Sequence, residues 1–149
     1  MTYGQKLRRR PPVTLLILFI GFTSTTSSFG QRAGDRIVGT WTNETKTMEI
    51  SFEQCADTYC AFIASVEEGS EQEDVHNPDP SLRHRSLIGL RIITGLAYEH
   101  DEWSDGTMYV PTKGIHVGVK LTLTAPDELR MTVSKLFLRR KATWTRAAR

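Results

Sequence analysis

The chain has 149 residues, 24% of them charged and 9% aromatic, with two cysteines and a formal net charge of +2. That length supports one domain with a real core. Residues 1–30 hold 4 basic and no acidic residues, so residues 31–149 hold 15 basic against 17 acidic, a net −2. The basicity belongs to the N-terminal segment, and nucleic-acid binding loses its main compositional support.

Lys6, Arg8, Arg9 and Arg10 precede an apolar run, Val13 to Phe22, and then a polar, small-residue stretch, Thr23 to Ser28. This is the order of a secretory signal peptide: a basic end held on the cytoplasmic side and an apolar run that enters the translocon. Ten residues rise only ~15 Å as a helix, half of a ~30 Å hydrocarbon core, which disfavours a permanent span. Ser28 and Gly30 put small residues where a signal peptidase reads, making Gln31 the new terminus. An uncleaved anchor is the alternative; a lipoprotein anchor has no cysteine near this point, and the flanks of Arg8-Arg9-Arg10 match a twin-arginine signal poorly. The expected organisation is a signal peptide over 1–30 and a β domain over 31–149, located in the periplasm or secreted.

Met48, Ile50 and Phe52 alternate with Glu49, Ser51 and Glu53, the pattern of a half-buried strand. Cys55 and Cys60 bracket Ala56-Asp57-Thr58-Tyr59 at the neck of a predicted hairpin, where facing positions suit a disulfide. Closing so short a loop contributes roughly 2 kcal/mol on the chain-entropy model. A redox pair or half a metal site is the alternative, but there is no third cysteine. Further strands are expected over Cys60 to Val66, Gly89 to Tyr98 and Thr107 to Val110. Val117, Val119, Leu121 and Leu123 give the cleanest period of two, repeated by Leu129, Met131 and Val133 after the Pro126-Asp127 turn, and Lys141 to Arg146 ends the series. Many short strands joined by turns predict an all-β barrel or sandwich. Glu67 to Arg85 interrupts them: first acidic, then rigid at Asn77-Pro78-Asp79-Pro80, then basic at Arg83-His84-Arg85, with one helical turn expected over Pro80 to Arg85. Its prolines forbid a regular ladder, so it is a functional connection or a cover for one end of the sheet.

Gly39-Thr40-Trp41, the central Asp74 to Leu90 stretch with its Asn-Pro-Asp-Pro, Leu-Arg-x-Arg and Gly89-Leu90, and Trp144-Thr145-Arg146 together resemble a bacterial envelope family, the domain of unknown function number 2147. The resemblance runs from Ile37 to Arg146 and includes the cysteine pair and Trp103, Gly106, Tyr109 and Pro111. It implies a lipocalin-like (calycin) fold: a small antiparallel up-and-down barrel, with the long connection and its short helix covering an end. In that fold Trp41 closes the barrel floor against Arg146, a structural role through cation–π stacking and hydrogen bonding. Gly39, Asn77, Pro78, Asp79, Gly89 and Trp144 carry the rest of the structural motif. The chain departs from the family at Ser86, at Val110, over Thr112 to His116 and over Ser134 to Leu138, the last shorter and more apolar than the usual glycine-rich segment.

The remaining residues offer three chemistries. Asp74, His76, Asp79 and His84 are zinc-ligand types, but they lack a recognised spacing, and Asp79 suits an Asx turn or helix cap better. Arg83 and Arg85 could receive a carboxylate or phosphate head group, or pair with Asp74, Asp79 or the Glu67–Glu73 run and so fix the loop. No Gly-x-Ser-x-Gly elbow, phosphate loop or His-Glu-x-x-His occurs, so neither catalysis nor a cofactor is expected. The expected function is binding of a small apolar or amphiphilic ligand, with Arg83, Arg85, Trp103, Tyr109 and Phe137 as candidate contacts. A non-catalytic envelope structural or interaction module with a packed interior is the alternative. Cavity volume separates the two. N-terminal sequencing of exported protein should read from about Gln31; an intact residue 1–30 segment would replace the signal peptide with an anchor.

Overall fold

Alternating burial carries the chain through eight antiparallel strands: β1 Gly39–Asn43, β2 Met48–Cys55, β3 Thr58–Val66, β4 Arg91–Glu99, β5 Glu102–Val110, β6 Ile115–Ala125, β7 Glu128–Lys135 and β8 Leu138–Arg146. Each pairs with the next and β8 returns to β1, closing an all-β barrel. The computed structural model describes Met1 and residues 32–148. The signal peptide read over 1–30, Met1 aside, and the junction at Gln31 lie outside the described residues. Short 3₁₀ turns occupy Ala33–Ile37, Pro80–Leu82 and Pro111–Lys113. Among the described residues no helix is long and apolar enough to cross a membrane.

An up-and-down barrel sorts its connections to two ends. The Ala33–Ile37 turn, the tight turns β2–β3, β4–β5 and β6–β7, and the end of β8 share one end, the floor. The β1–β2 turn, the long β3–β4 connection, the Pro111–Lys113 turn and the β7–β8 turn share the other, the mouth. Trp41, Phe52, Trp103, Leu121 and Leu129 are fully buried, and Trp144 is 5% exposed, so large side chains fill the floor half of the interior.

The floor is closed by reciprocal contacts. Arg146 stands opposite Trp41 across the β1–β8 ladder, and its guanidinium lies 4.3 Å from the centre of the Trp41 ring. The same fork donates to the carbonyls of Val38 (3.1 Å) and Arg36 (2.8 Å) and to Asp127 Oδ1 (3.2 Å). The Trp41 indole donates to the Ile37 carbonyl at 2.8 Å, and Trp103 donates to the Gly34 carbonyl at 3.1 Å. Gly39 opens β1 at φ +121, and a Cβ there would lie 3.1 Å from Arg146 Nη1, so the strand start suits glycine on both counts. Tyr59 donates to Asp35 at 2.7 Å; burial first, then that acceptor, pushes its phenol up to about 12.

Two strand expectations need correction. Cys55 and Cys60 are bonded, with Cα atoms 5.8 Å apart, but they do not face one another. The turn is tighter than the neck read from sequence: Cys55 pairs with Thr58 and Cys60 with Glu53, so the disulfide runs diagonally across the ladder. β5 also begins at Glu102 rather than Thr107. Asp105 takes φ +60 and the register shifts between Trp103 and Gly106, so two buried positions fall three residues apart and the period of two is broken in sequence.

Trp41→Ala should cost roughly 3–5 kcal/mol, as for other buried aromatic side chains. Arg146→Ala should destabilise as well, and a denaturation double-mutant cycle should show coupling between the two, since each variant removes the other's partner; additive losses would show that the stacking carries no energy.

Candidate functional site

The long connection, residues 67–90, is held by one buried carboxylate. Asp74 is fully buried. Its Oδ2 accepts from Arg85 Nε (2.8 Å) and Nη2 (2.6 Å) and from Asn77 Nδ2 (2.7 Å); its Oδ1 accepts from the Tyr109 hydroxyl (2.7 Å). Burial alone would raise its carboxyl pKa; the bonds from Asn77, Tyr109 and Arg85, with the Arg85 charge, outweigh that and hold it below the usual carboxylate range. Tyr109 is raised by burial and by donating to Asp74. The Arg85 guanidinium also lies 5.6 Å from the Tyr109 ring centre.

The rest of the motif builds the turn that delivers Asp74 and Arg85 to each other. Asn77 Oδ1 accepts from the Asp79 amide at 2.9 Å, and Asp79 caps Pro80–Leu82 by accepting from Ser81 N at 2.9 Å. Arg83 donates to the Asn77 carbonyl at 2.8 Å. Gly89 takes φ +81 and donates to the Ile63 carbonyl at 2.8 Å, returning the chain to the barrel beside β3. Gly114, at φ +60 after Pro111–Lys113, meets the loop directly: a Cβ there would stand 2.0 Å from the His76 carbonyl oxygen. Any side chain at Gly114 would push the loop off the β5–β6 turn. His76 lies 3.4 Å from Glu71 and His84 3.2 Å from Glu73, so the four zinc-type residues of this loop stand with separate partners rather than around one point.

The loop covers only part of the mouth. Glu71, Glu73 and Leu87 lie beside Met48, Val66 and Pro111, over the β2–β3 side. On the other side, between β6, β7 and β8, a half-open cup of about 270 Å³ remains. Val110, Ile115, Val117, Val133 and Leu138 form its apolar wall, and Lys113, Lys135 and Arg140 its basic rim. The ladder explains why charge sits there. Val119 pairs with Val133, and Val133 with Arg140; Arg140 therefore shares the interior face with Ala142 and Trp144, two and four residues on. Lys135 and Leu138 pair at the same face one rung closer to the tip. Among the described residues none of Lys113, Lys135 and Arg140 forms an ion pair; the six contacts with carboxylates use Arg36, His76, His84, Arg85, Lys120 and Arg146. Larger hollows of about 610 and 670 Å³ lie around Arg146 at the floor, but its fork is already committed to the acceptors that close the barrel.

The five residues read from sequence as ligand contacts do not converge. Trp103 is floor core, packed on Tyr98 with ring centres 4.9 Å apart. Tyr109 pairs with His116, one residue out of phase with Val110 and Val117, so it faces away from the cup and onto Asp74. Arg85 is committed to Asp74 and Arg83 to the Asn77 carbonyl. Phe137 is fully exposed at the β7–β8 turn and lines no interior surface. The rim residues Lys113, Lys135 and Arg140 belong to no sequence motif, although the parity of β8 puts Arg140 in phase with Trp144.

A family model described as an uncharacterized protein conserved in bacteria (DUF2147) matches residues 39–146. Among solved structures, the chain is similar to protein HP1028 from the human pathogen Helicobacter pylori, described as belonging to the lipocalin family. The TM-score is 0.68 at 22% identity, over 75% of this chain and 83% of that one. That likeness is one of fold. No curated protein matches the sequence.

Because the folded pKa of Asp74 is depressed, its contribution to stability is complete above the unfolded value of ~3.9 and is lost as pH falls through the lower folded value. Asp74→Asn should lower stability at neutral pH by about 2–3 kcal/mol, on the scale of hydrogen bonds to a charged group. It should also flatten the acid limb of a melting-temperature profile. Arg85→Gln should follow it, and Arg83→Gln should change little; equal acid slopes for wild type and Asp74→Asn would remove Asp74 from this role.

Proposed function

The chain belongs to the DUF2147 family, proteins conserved in bacteria, and has a lipocalin-like barrel; from that premise we propose that it binds a small amphiphilic anion, apolar tail in the cup and acidic head on the rim. The observation that carries this reading is Arg140, an interior-facing cation with no carboxylate partner among the described residues, set at the lip of an apolar wall. A closed barrel has no sheet edge to protect, so an inward charge here is not explained as a guard against edge pairing. Lys113 and Lys135 share the lip, and three cations around one opening favour a carboxylate, sulfonate or phosphate head.

Size narrows the class. A cup of about 270 Å³ lies just below the range of ordinary small-molecule pockets. It suits one short or medium acyl chain, or the end of a longer one, and not a bulky polycycle. The packed floor half supports the same limit, because a ligand cannot run the length of the barrel. The reading is therefore of a carrier for such a molecule. With the N-terminal signal and the disulfide, the carrier is exported and works in the periplasm or outside the cell.

A dansyl-labelled medium-chain fatty acid serves as the probe. Arg140→Gln should weaken its binding roughly 10- to 100-fold, as expected for a lost charge-assisted hydrogen bond. Raised salt should weaken the wild type more than the variant. Val117→Trp, which fills the cup from its wall, should abolish binding without lowering the melting temperature sharply. Probe affinity indifferent to both substitutions would reject the cup and favour the packed structural module.

A further inference from the structure

The β7–β8 turn breaks the burial rule that the rest of the barrel obeys. Leu136 is 90%, Phe137 100% and Leu138 76% exposed, consecutive along the chain. Single exposed apolar residues are ordinary, but three together at a projecting tip form a patch that calls for a partner. Turn chemistry does not ask for them. Lys135 pairs with Leu138, so Leu136 and Phe137 are the two residues of a tight hairpin turn, and Leu136 takes φ +55. Only the first of the two takes a positive φ, and a two-residue hairpin of that kind favours Gly there; a leucine in the left-handed region costs energy that Gly would not.

Charge surrounds the patch. Lys135 precedes it and Arg139, Arg140 and Lys141 follow, four cations in seven residues with no acidic residue between them. None of the four forms an ion pair among the described residues. This is a local reversal, since residues 31–149 carry a net −2. Strand alternation puts Lys135 and Arg140 on one face of the ribbon and Arg139 and Lys141 on the other, so the cations ring the tip. At ~3.3 Å per residue they sit within roughly 3–13 Å of the tip along the ribbon. That is head-group level when an apolar tip enters ~5–10 Å into a bilayer interface.

We propose that the β7–β8 tip docks the barrel, mouth first, onto an anionic phospholipid bilayer, with Leu136 and Phe137 in the interface and the four cations on the head groups. The docking side is the uncovered side of the mouth: Lys135, Leu138 and Arg140 belong to both the ribbon and the cup. The acidic segment Glu67 to Glu73 lies on the other side, over Met48 and Val66, where anionic lipid would repel it. Docking would thus bring the cup against lipid, which rests on the amphiphile reading only for its purpose and not for the contact itself.

Residues 31–149 hold all eight strands and the floor turn, so that chain is the one to test, free of the apolar N-terminal run. It should sediment with phosphatidylglycerol–phosphatidylcholine vesicles, weakly or not at all with phosphatidylcholine alone, and less as salt rises. Leu136→Gly with Phe137→Asn supplies the favoured turn and should weaken anionic-vesicle binding at least about tenfold with no loss of melting temperature. Arg139→Gln with Lys141→Gln, both outside the cup, should weaken it by a similar factor. Wild-type protein that ignores anionic vesicles, or a tip variant that binds as well as wild type, overturns the proposal. So does a wild-type dimer in sedimentation velocity that the tip variant dissolves without any vesicle binding, which assigns the patch to a second copy. The dansyl fatty acid separates the two readings: vesicle binding by a protein that takes up no probe leaves docking standing and removes the cup.

Discussion

The barrel depends on the seam where its last strand meets its first. β1 and β8 share only three register pairs, Trp41–Arg146, Thr42–Thr145 and Asn43–Trp144, whereas β7 and β8 share eight. With so few rungs, side-chain contacts carry more of the closure here than elsewhere in the sheet. Arg146 supplies what the ladder lacks: one guanidinium stacks on the Trp41 indole and reaches the Arg36 and Val38 carbonyls and the Asp127 carboxylate. The planar fork matters here, since a lysine could occupy the place but could neither stack in the same way nor bond several acceptors at once. With the seam shut at the floor, each strand's alternation has a defined inside, and all later packing follows from it.

At the mouth a second polar centre does comparable work on the long connection. Asp74 is buried yet ionised because Arg85, Tyr109 and Asn77 together satisfy its oxygens. A buried carboxylate left without one of these partners would be costly, which ties the loop to a single placement against β5. That placement has a consequence for binding: a loop pinned on the β2–β3 and β5 side leaves the β6–β8 side of the opening uncovered, and there the apolar wall and basic rim meet.

The mouth is therefore polarised, acidic over its covered half and basic over its open half. Such an arrangement orients the molecule toward anionic partners by one side. The cup and the projecting β7–β8 tip draw on the same ribbon, so a ligand and a lipid surface would meet the protein at one place. The arginines of the loop, by contrast, spend their charge internally and leave little for an incoming anion.

The all-β class and most strand positions are legible in the residues alone, because a period of two in apolar residues is a direct image of one buried face: Met48 to Phe52, Val117 to Leu123 and Leu129 to Val133 are strands where the pattern puts them. The cysteine pair and the Asp79 cap are legible as well, since both are local. The strand around Trp103 is hidden in sequence by a bulge at Asp105, which inserts an extra residue and destroys the period of two. Which charges remain unpaired among the described residues depends on the folded barrel. Arg83, Arg85 and Arg140 are alike as letters; Arg85 finds Asp74 eleven residues away and Arg83 a carbonyl six away, while Arg140 finds no acid among the described residues. Whether a charge is satisfied depends on what the closed barrel brings beside it, and that is a property of pairing across the sheet that no single strand records.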